Sequence, residues 1–309
     1  MTRPSSPLIA QEPVLVFGGS YSNLQATEAV LTAARERQIP FDHVICTGDL
    51  AAYCANPQET IERVRRSGIH VVMGNCDEQL ADGAGDCGCG FPADSACDRL
   101  SAAWFQYCDA RVSADQRGWL AQLPRSIELQ IGGTRLAVIH GSVSAINHFI
   151  FATTDAGAKA HELDLAGCNG VIGGHCGLPF TEIVAGRLWH NPGVVGMPAN
   201  DGTPRVWYSV LTPLADGGLE IEHAALSYDH ENAARAMADA GLPPDYRIGL
   251  ETGLWPSLDV LPAWERSQTG QHLASGALRW RPKRSTEDGK AEPDRLLWPE
   301  HVVATAEAV

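Results

Sequence analysis

Short apolar runs alternate with amphipathic segments along the first 75 residues of the chain. The apolar runs cover residues 13–17, 42–47 and 69–73, and glycine and polar residues follow each of them. The segments between them show helical spacing, and the second begins with Asn56-Pro57, a cap residue and a proline that favours the first helical turn. Strands that alternate with helices pair in parallel through right-handed crossovers. The sequence therefore predicts a parallel sheet whose ligand site lies beyond the carboxyl ends of its strands.

The later part of the chain adds predicted strands, and two of them end at a histidine. The run 136–139 is followed by His140, and the run 171–172 is followed by two glycines and His175. Three further strands are predicted near residues 126–131, 205–212 and 218–226.

Two segments depart from this regular pattern. Residues 77–99 are rich in glycine, aspartate and cysteine, which predicts a loop, and a helix is predicted over 101–123. Beyond residue 266 the chain becomes polar and loses its periodicity. We therefore expect one domain over 1–265 with a Cys/Gly-rich insertion at 77–99, and a C-terminal tail or extension over 266–309.

The composition narrows the class of protein. Hydrophobic residues make up 44% of the 309 residues, enough to bury a core, and charged residues make up 19%. The formal net charge of −14 repels phosphate backbones, so nucleic acid is not an expected partner. No apolar run approaches the roughly 20 residues of a membrane span, and the N-terminus lacks a signal-peptide pattern. We expect a cytoplasmic protein that does not bind membranes.

Residues of the kinds that bind metals stand at the ends of the predicted strands: Asp49, Asn75, Asp77, His140 and His175. Carboxylate, carbonyl and imidazole groups are the ligands that hard and borderline divalent ions prefer. The carboxyl edge of one sheet brings such side chains together from distant positions in the chain. The alternative is that the two histidines are satisfied core residues and that Asp49 belongs to a turn.

Five short motifs follow one another along the same part of the chain. They are ICTGDLAAYCANPQE at 45–59, VMGNCD at 72–77, VIHGS at 138–142, GHCGLP at 174–179 and NPG at 191–193. In order and spacing they resemble the motifs of calcineurin-like metallophosphoesterases, and most of all those of the small bacterial branch of that family. The resemblance implies an α/β fold, a four-layer α/β/β/α sandwich of two mixed sheets with the site at one edge.

The resemblance also implies a site for divalent metal ions such as Mn, Fe or Zn. In that family two metals share a bridging aspartate and activate the water that attacks a phosphoester. Asp49 would be the bridging carboxylate, and Asn75, His140 and His175 would complete the shell of the second metal. Asp77 would orient a neighbouring group from outside this shell.

Four positions differ from the family pattern. Gly19 stands where the family has an aspartate, and Tyr21 stands where it has a histidine. Gly177 replaces the second histidine of the last motif, and Cys76 replaces the catalytic histidine that contacts the phosphate. One metal is therefore predicted with its usual ligands, whereas the first metal of the family loses all three of its own ligands and its presence is in doubt.

The nine cysteines offer one way to rebuild that site. Their odd number and the lack of an export signal favour free thiols or metal ligands over structural disulfides. We hypothesise that thiolates of Cys76, Cys87, Cys89 or Cys176 bind a metal or a thiophilic ligand beside the remaining metal. The alternative is that they are free thiols on a glycine-rich loop.

These residues predict an enzyme, a metal-dependent phosphoesterase that acts on a small phosphorylated substrate, a phosphomonoester or phosphodiester. The alternative is a non-catalytic metal- or ligand-binding protein of the same fold, which the missing ligands favour. A third possibility, suggested only by the cysteines, is altered chemistry on a thiophilic or metalloid substrate.

Overall fold

A computed structural model describes residues 7–91, 95–282 and 297–299 of the chain. Its strands are β1 (Leu8–Ala10), β2 (Val14–Phe17), β3 (Val44–Cys46), β4 (His70–Val71), β5 (Ile127–Ile131), β6 (Thr134–Val138), β7 (Gly170–Ile172), β8 (Phe180–Val184), β9 (Arg187–Asn191), β10 (Val206–Pro213), β11 (Leu219–Leu226), β12 (Gly276–Trp280) and β13 (Leu297–Trp298). Its helices are α1 (Leu24–Glu36), α2 (Pro57–Ser67), α3 (Asn75–Asp82), α4 (Ala96–Asp109), α5 (Ala114–Leu120), α6 (Ala156–Ala166), α7 (His230–Asp239), α8 (Pro244–Thr252) and α9 (Ala263–Ser267).

The strands form two mixed sheets. The first has the order β12-β11-β10-β2-β3-β4, in which β2, β3 and β4 run parallel, as their alternation with α1 and α2 predicts. The second has the order β1-β5-β6-β7-β9-β8-β13, with β6, β7 and β9 parallel at its centre. The carboxyl ends of the parallel strands in both sheets carry the loops that build the candidate site.

The two sheets pack face to face, and helices cover their outer faces. Val16 of the first sheet and Leu129 of the second belong to one buried cluster between the sheets. On the outer face of the first sheet, Ile61 of α2 packs into a second cluster, and Leu163 of α6 does the same on the second sheet. The result is the four-layer α/β/β/α sandwich that the motifs imply.

The loop expected over residues 77–99 is wrong at both ends, because α3 begins before it and α4 begins inside it. Helix α3 starts at Asn75, where the Asp77 carboxylate accepts the Gly74 backbone N–H at 3.0 Å and so stabilises the first turn. Helix α4 starts at Ala96, and Ser95 caps it by accepting the Asp98 backbone N–H. The single helix predicted over 101–123 is two helices, since Ser113 caps a separate α5. Residues 92–94 lie outside the described part of the chain.

The expected tail is also corrected where the structure describes it. Strand β12 pairs with β11 along its whole length, and β13 pairs with β8. The rings of Trp280 and Trp298 are buried, and Trp298 stacks on His223 with 3.9 Å between ring centroids. These two segments therefore belong to the sheets, while residues 283–296 and 300–309 of the expected tail lie outside the described residues.

Each helix in the described part of the chain is too short or too polar to cross a lipid bilayer.

Candidate metal centre

Four side chains converge where the strand ends of the two sheets meet. Asp49 follows β3, Asn75 opens α3 after β4, His140 follows β6 and His175 follows β7. All four residues are buried. Asp49, His140 and His175 each offer a ligand atom, and these atoms lie within 4.8 Å of one another.

His140 stands at the centre of this group. Its Nε2 atom lies 3.0 Å from Asn75 Oδ1, 3.2 Å from Asp49 Oδ2 and 3.2 Å from His175 Nδ1. The Nδ1 atom of the same ring donates to the backbone carbonyl of Thr47 at 2.6 Å. In the neutral ring the Nε2 atom therefore presents a lone pair to its neighbours.

The orientation of Asn75 is fixed as well. Its Nδ2 atom donates to the Cys87 carbonyl at 2.9 Å, so its Oδ1 atom faces His140. When the His140 ring is neutral, a carboxylate oxygen, an amide oxygen and an imidazole lone pair thus face one another, and none of them supplies a hydrogen. A cation removes the repulsion among them, and separations of 3.0–3.2 Å suit ligands that lie about 2.0–2.2 Å from one ion. The donor set therefore fits a divalent metal.

Charge interactions shift the pKa values of these residues. Burial on its own raises the pKa of Asp49, but the charge and the hydrogen bond of His140, with smaller contributions that include the backbone N–H of Cys76, lower it below its usual range. Burial lowers the pKa of His140, but the charge and the hydrogen bond of Asp49, together with the hydrogen bond to the Thr47 carbonyl, outweigh burial and raise it. Burial and the neighbouring His140 lower the pKa of His175 to about 3, so this imidazole is neutral and free to act as a ligand.

The backbone at two of the ligands is left-handed. The φ angle is +61° at both Asp49 and His175, a conformation that costs L-residues about 1–2 kcal/mol. Gly48 precedes Asp49 with a φ angle of +101°. A Cβ atom on Gly74 would lie 2.2 Å from Asp49 Oδ1. These glycines allow the turn and the close approach that direct the Asp49 carboxylate into the site.

Asp77 supports the loop that carries Asp49. Its Oδ2 atom accepts the backbone N–H groups of Asp49 at 2.8 Å and Gly74 at 3.0 Å, and its Oδ1 atom accepts that of Leu50 at 2.9 Å. Burial first, and then the charge of Asp49, raise the pKa of Asp77 to about 7. Both carboxylate oxygens are engaged by backbone groups, so Asp77 acts through the position of Asp49.

A comparison with family models decides what kind of protein this is. The model described as the calcineurin-like phosphoesterase superfamily domain matches residues 14–212, a span that contains all four converging side chains. The chain belongs to the calcineurin-like phosphoesterase superfamily.

Proteins similar to this member of the superfamily include one relative and two solved structures. An uncharacterised protein of Methanocaldococcus jannaschii is 24% identical over 246 residues, which cover 74% of this chain and 93% of that protein. A metallophosphoesterase from Sphaerobacter thermophilus has a TM-score of 0.62 at 23% identity, over 79% of this chain and 100% of its own. A hypothetical protein from Pyrococcus horikoshii has a TM-score of 0.67 at 18% identity, over 79% and 99%. The two solved structures share the fold of this chain.

Aromatic rings cover the positions where the superfamily motif predicts the ligands of the first metal. A Cβ atom on Gly19 would lie 2.2 Å from Cε1 of Tyr21, so this ring takes the space of an aspartate side chain. A Cβ atom on Gly177 would lie 3.2 Å from the ring of Trp255. Burial, and then the charge of Asp49, raise the pKa of Tyr21 well above its usual range, which favours a neutral hydroxyl over a phenolate ligand. The first half-site is therefore lined by rings.

The cysteines near the site are not all free. Cys87 and Cys89 form a disulfide, which corrects the expectation of free thiols at these two positions. Cys76 Sγ lies 4.0 Å from Cys89 Sγ. Cys176 Sγ accepts from Asn191 Nδ2 at 3.1 Å. With the disulfide closed, Cys87 and Cys89 offer no thiolate, so a role as metal ligands requires reduction of the bond.

Sequence reasoning missed three residues that shape the site. Thr47 holds the His140 ring through its carbonyl, and it lies inside a motif that points to this region. The Phe149 ring lies 4.1 Å from the ring of His175, and Trp255 covers Gly177. Phe149 and Trp255 stand in irregular segments without a motif, so no local pattern pointed to either.

Proposed function

We propose that the chain hydrolyses a small phosphomonoester or phosphodiester with one divalent metal ion, Mn, Fe or Zn, held by Asp49, Asn75, His140 and His175. The observation that carries this proposal is the group of lone pairs that face one another around His140 Nε2. Membership of the superfamily supports the class of reaction.

The residues of the chain position and shield such an ion. When bound, a divalent ion supplies Lewis acidity, which activates water and stabilises negative charge on a phosphoryl oxygen. The Thr47 carbonyl fixes the ring of His140 so that its Nε2 lone pair faces the site, as partners of metal-binding histidines commonly do. The Phe149 ring packs on His175 and limits its contact with solvent.

Cys76 would bring different chemistry to the position of the catalytic histidine. Burial, and then the charge of Asp49, raise the pKa of the Cys76 thiol well above its usual range, so the thiol is neutral. A neutral thiol gives no positive charge to a phosphoryl group, although it keeps a proton for a leaving group. We therefore expect slow turnover on generic aryl phosphates.

The test compares the unchanged protein with His140→Ala and His148→Ala variants. Each is purified anaerobically, incubated with Mn, Fe or Zn, analysed for metal by mass spectrometry, and assayed on a panel of phosphomonoesters and phosphodiesters. We expect the unchanged protein to bind an ion and turn over an ester, and His140→Ala to lose both. His148 is exposed on the loop after His140, so His148→Ala should retain both. A folded His140→Ala variant that keeps its metal would contradict the proposal.

A non-catalytic metal- or ligand-binding protein is the second candidate. The rings of Tyr21 and Trp255 over the lost ligand positions favour it, because they remove the charge stabilisation that a second metal gives. One bound metal, no turnover of any ester and a tight small-molecule ligand in the same experiment would support this candidate over the enzyme.

A further inference from the structure

A cavity opens beside the candidate metal centre, on the side of the lost ligands. It has a volume of about 680 Å³ including its open mouth, and Asp49, His175 and Gly177 contribute to its lining. It therefore reaches from the metal centre into the region of the first half-site. Six of its described lining residues are aromatic: Tyr21, Tyr53, Phe91, Phe149, Tyr246 and Trp255.

Contacts with one another and with a neighbouring loop hold several of these rings in place. The ring centroid of Tyr53 lies 4.7 Å from those of Tyr21 and Tyr246. The backbone N–H and the indole N–H of Trp255 both donate to the loop at 198–200, at 2.9 and 2.7 Å. Because the rings are ordered before a ligand arrives, binding costs little side-chain entropy.

The charge of the cavity lining restricts which ligand groups bind there. Among the described residues that line the cavity there is no lysine or arginine, and Asp49 contributes a negative charge. An anionic group placed against the rings would lose its hydration without gaining a cation. Negative charge on a ligand is therefore favoured only at the metal centre, and the part of the ligand inside the cavity is uncharged.

We propose that this cavity binds the uncharged aromatic group of a phosphoester whose phosphoryl group lies at the metal centre. The proposal rests on the phosphoesterase function proposed above and names its substrate class. The cavity lies where the superfamily motif places the ligands of the first metal, so in this chain that region would select the organic part of the ester.

Flat rings suit the cavity better than alkyl chains do. Aromatic pairs gain about 0.5–1.5 kcal/mol beyond the burial of their area, which corresponds to a preference of about twofold to tenfold. A nucleobase and a simple aryl group share this chemistry, so either could be the ring of the natural substrate.

The experiment measures binding of non-hydrolysable phosphonates to the metal-loaded protein by isothermal titration calorimetry. Benzylphosphonate and heptylphosphonate have equal numbers of carbon atoms, and the heptyl chain has more apolar surface. Methylphosphonate reports the phosphonate contact alone, and a nucleoside phosphonate separates a nucleobase from an aryl group. We expect benzylphosphonate to bind at least about threefold more tightly than heptylphosphonate, and more than tenfold more tightly than methylphosphonate.

Variants of residues that line the cavity then test whether the ring of the ligand lies there. Trp255→Ala should lower the ratio of benzyl to methyl affinity by about tenfold, and Trp255→Phe should keep most of it. Val260→Trp fills the cavity without removing a ring, and should abolish the preference even if Trp255→Ala does not fold. Trp119 is a half-buried tryptophan of α5 outside the cavity, so Trp119→Ala should leave the ratio unchanged.

Equal or tighter binding of heptylphosphonate would overturn the proposal, and so would a benzyl preference that survives Val260→Trp. Failure of the phosphoesterase function looks different. In that case the benzyl preference and its loss in the Val260→Trp variant remain, while no ester is turned over.

Discussion

The two halves of the candidate metal centre present opposite chemistry on the same sheet edge. Around His140, polar atoms lie 3.0–3.2 Å apart with their lone pairs facing inward. Around Gly19 and Gly177, the rings of Tyr21 and Trp255 fill the space that ligand side chains would need. Asp49, Asn75, His140 and His175 follow four different strands, and among their loops only that of His175 also carries a position of the aromatic half, Gly177.

The polar half of the site depends most on the support that Asp77 gives to the loop of Asp49. Both carboxylate oxygens of Asp77 accept backbone N–H groups, three in all, from the loops at Asp49 and Gly74. An asparagine at this position has one acceptor oxygen and cannot make all three hydrogen bonds. We expect Asp77→Asn to weaken metal affinity by about 10–100-fold, as loss of an outer-shell partner does. Competition with a chelator of known affinity measures this. Asp82→Asn, an exposed change on the same helix, is the control, and equal affinities of the two variants would refute the supporting role.

The aromatic half is tested by returning an aspartate to position 19. Its side chain would collide with the Tyr21 ring, so Gly19→Asp should lower the free energy of unfolding by about 1–3 kcal/mol. Adding Tyr21→His removes the collision and should recover most of this loss. Urea denaturation of the metal-free proteins measures both effects. Gly85→Asp is the matched control, because a side chain at that position meets only open space. If Gly19→Asp and Gly85→Asp unfold alike, the ring does not exclude the aspartate.

The disulfide beside the site should have the smallest effect. The Cys87 carbonyl accepts from Asn75, so opening the Cys87–Cys89 bond loosens one support of a metal ligand. We expect Cys87→Ser/Cys89→Ser, or the reduced protein, to bind the metal about twofold to tenfold more weakly. Cys168→Ser, at a free cysteine outside the site, should change nothing.

Mass spectrometric metal analysis under reducing conditions distinguishes this expectation from the thiolate hypothesis. If the reduced protein gains a second ion and the double serine variant does not, the cysteines act as ligands after reduction. In that case the aromatic half of the site would bind a metal beside its rings.

Much of the fold and the polar half of the site could be predicted from sequence. The alternation of apolar runs with helices gave β2, β3 and β4, and their polar ends gave Asp49 and Asn75. These features depend on local sequence, because hydrophobic periodicity and helix-cap residues predict them. Strand β12 was missed because its five residues follow a polar stretch, and it is stabilised by pairing with β11.

The aromatic half could be predicted only in part. Local motifs show that ligands are absent at Gly19 and Gly177, but they do not show what replaces them. Trp255 reaches Gly177 from a loop almost 80 residues further along the chain, and this contact depends on the tertiary fold. The disulfide was also missed, because cysteine counts and compartment cannot show which sulfur atoms meet.

The collision between Tyr21 and a side chain at position 19 imposes an order on mutational history. An aspartate at 19 and the tyrosine ring at 21 exclude each other in this backbone. Any path between a chain with Asp-x-His and this chain must then pass through an intermediate that has neither the aspartate nor the tyrosine. Such an intermediate, with glycine at 19 and histidine at 21, has lost one ligand of the first metal. The present chain lacks the ligand at 21 as well, so a single substitution cannot restore that half of the centre.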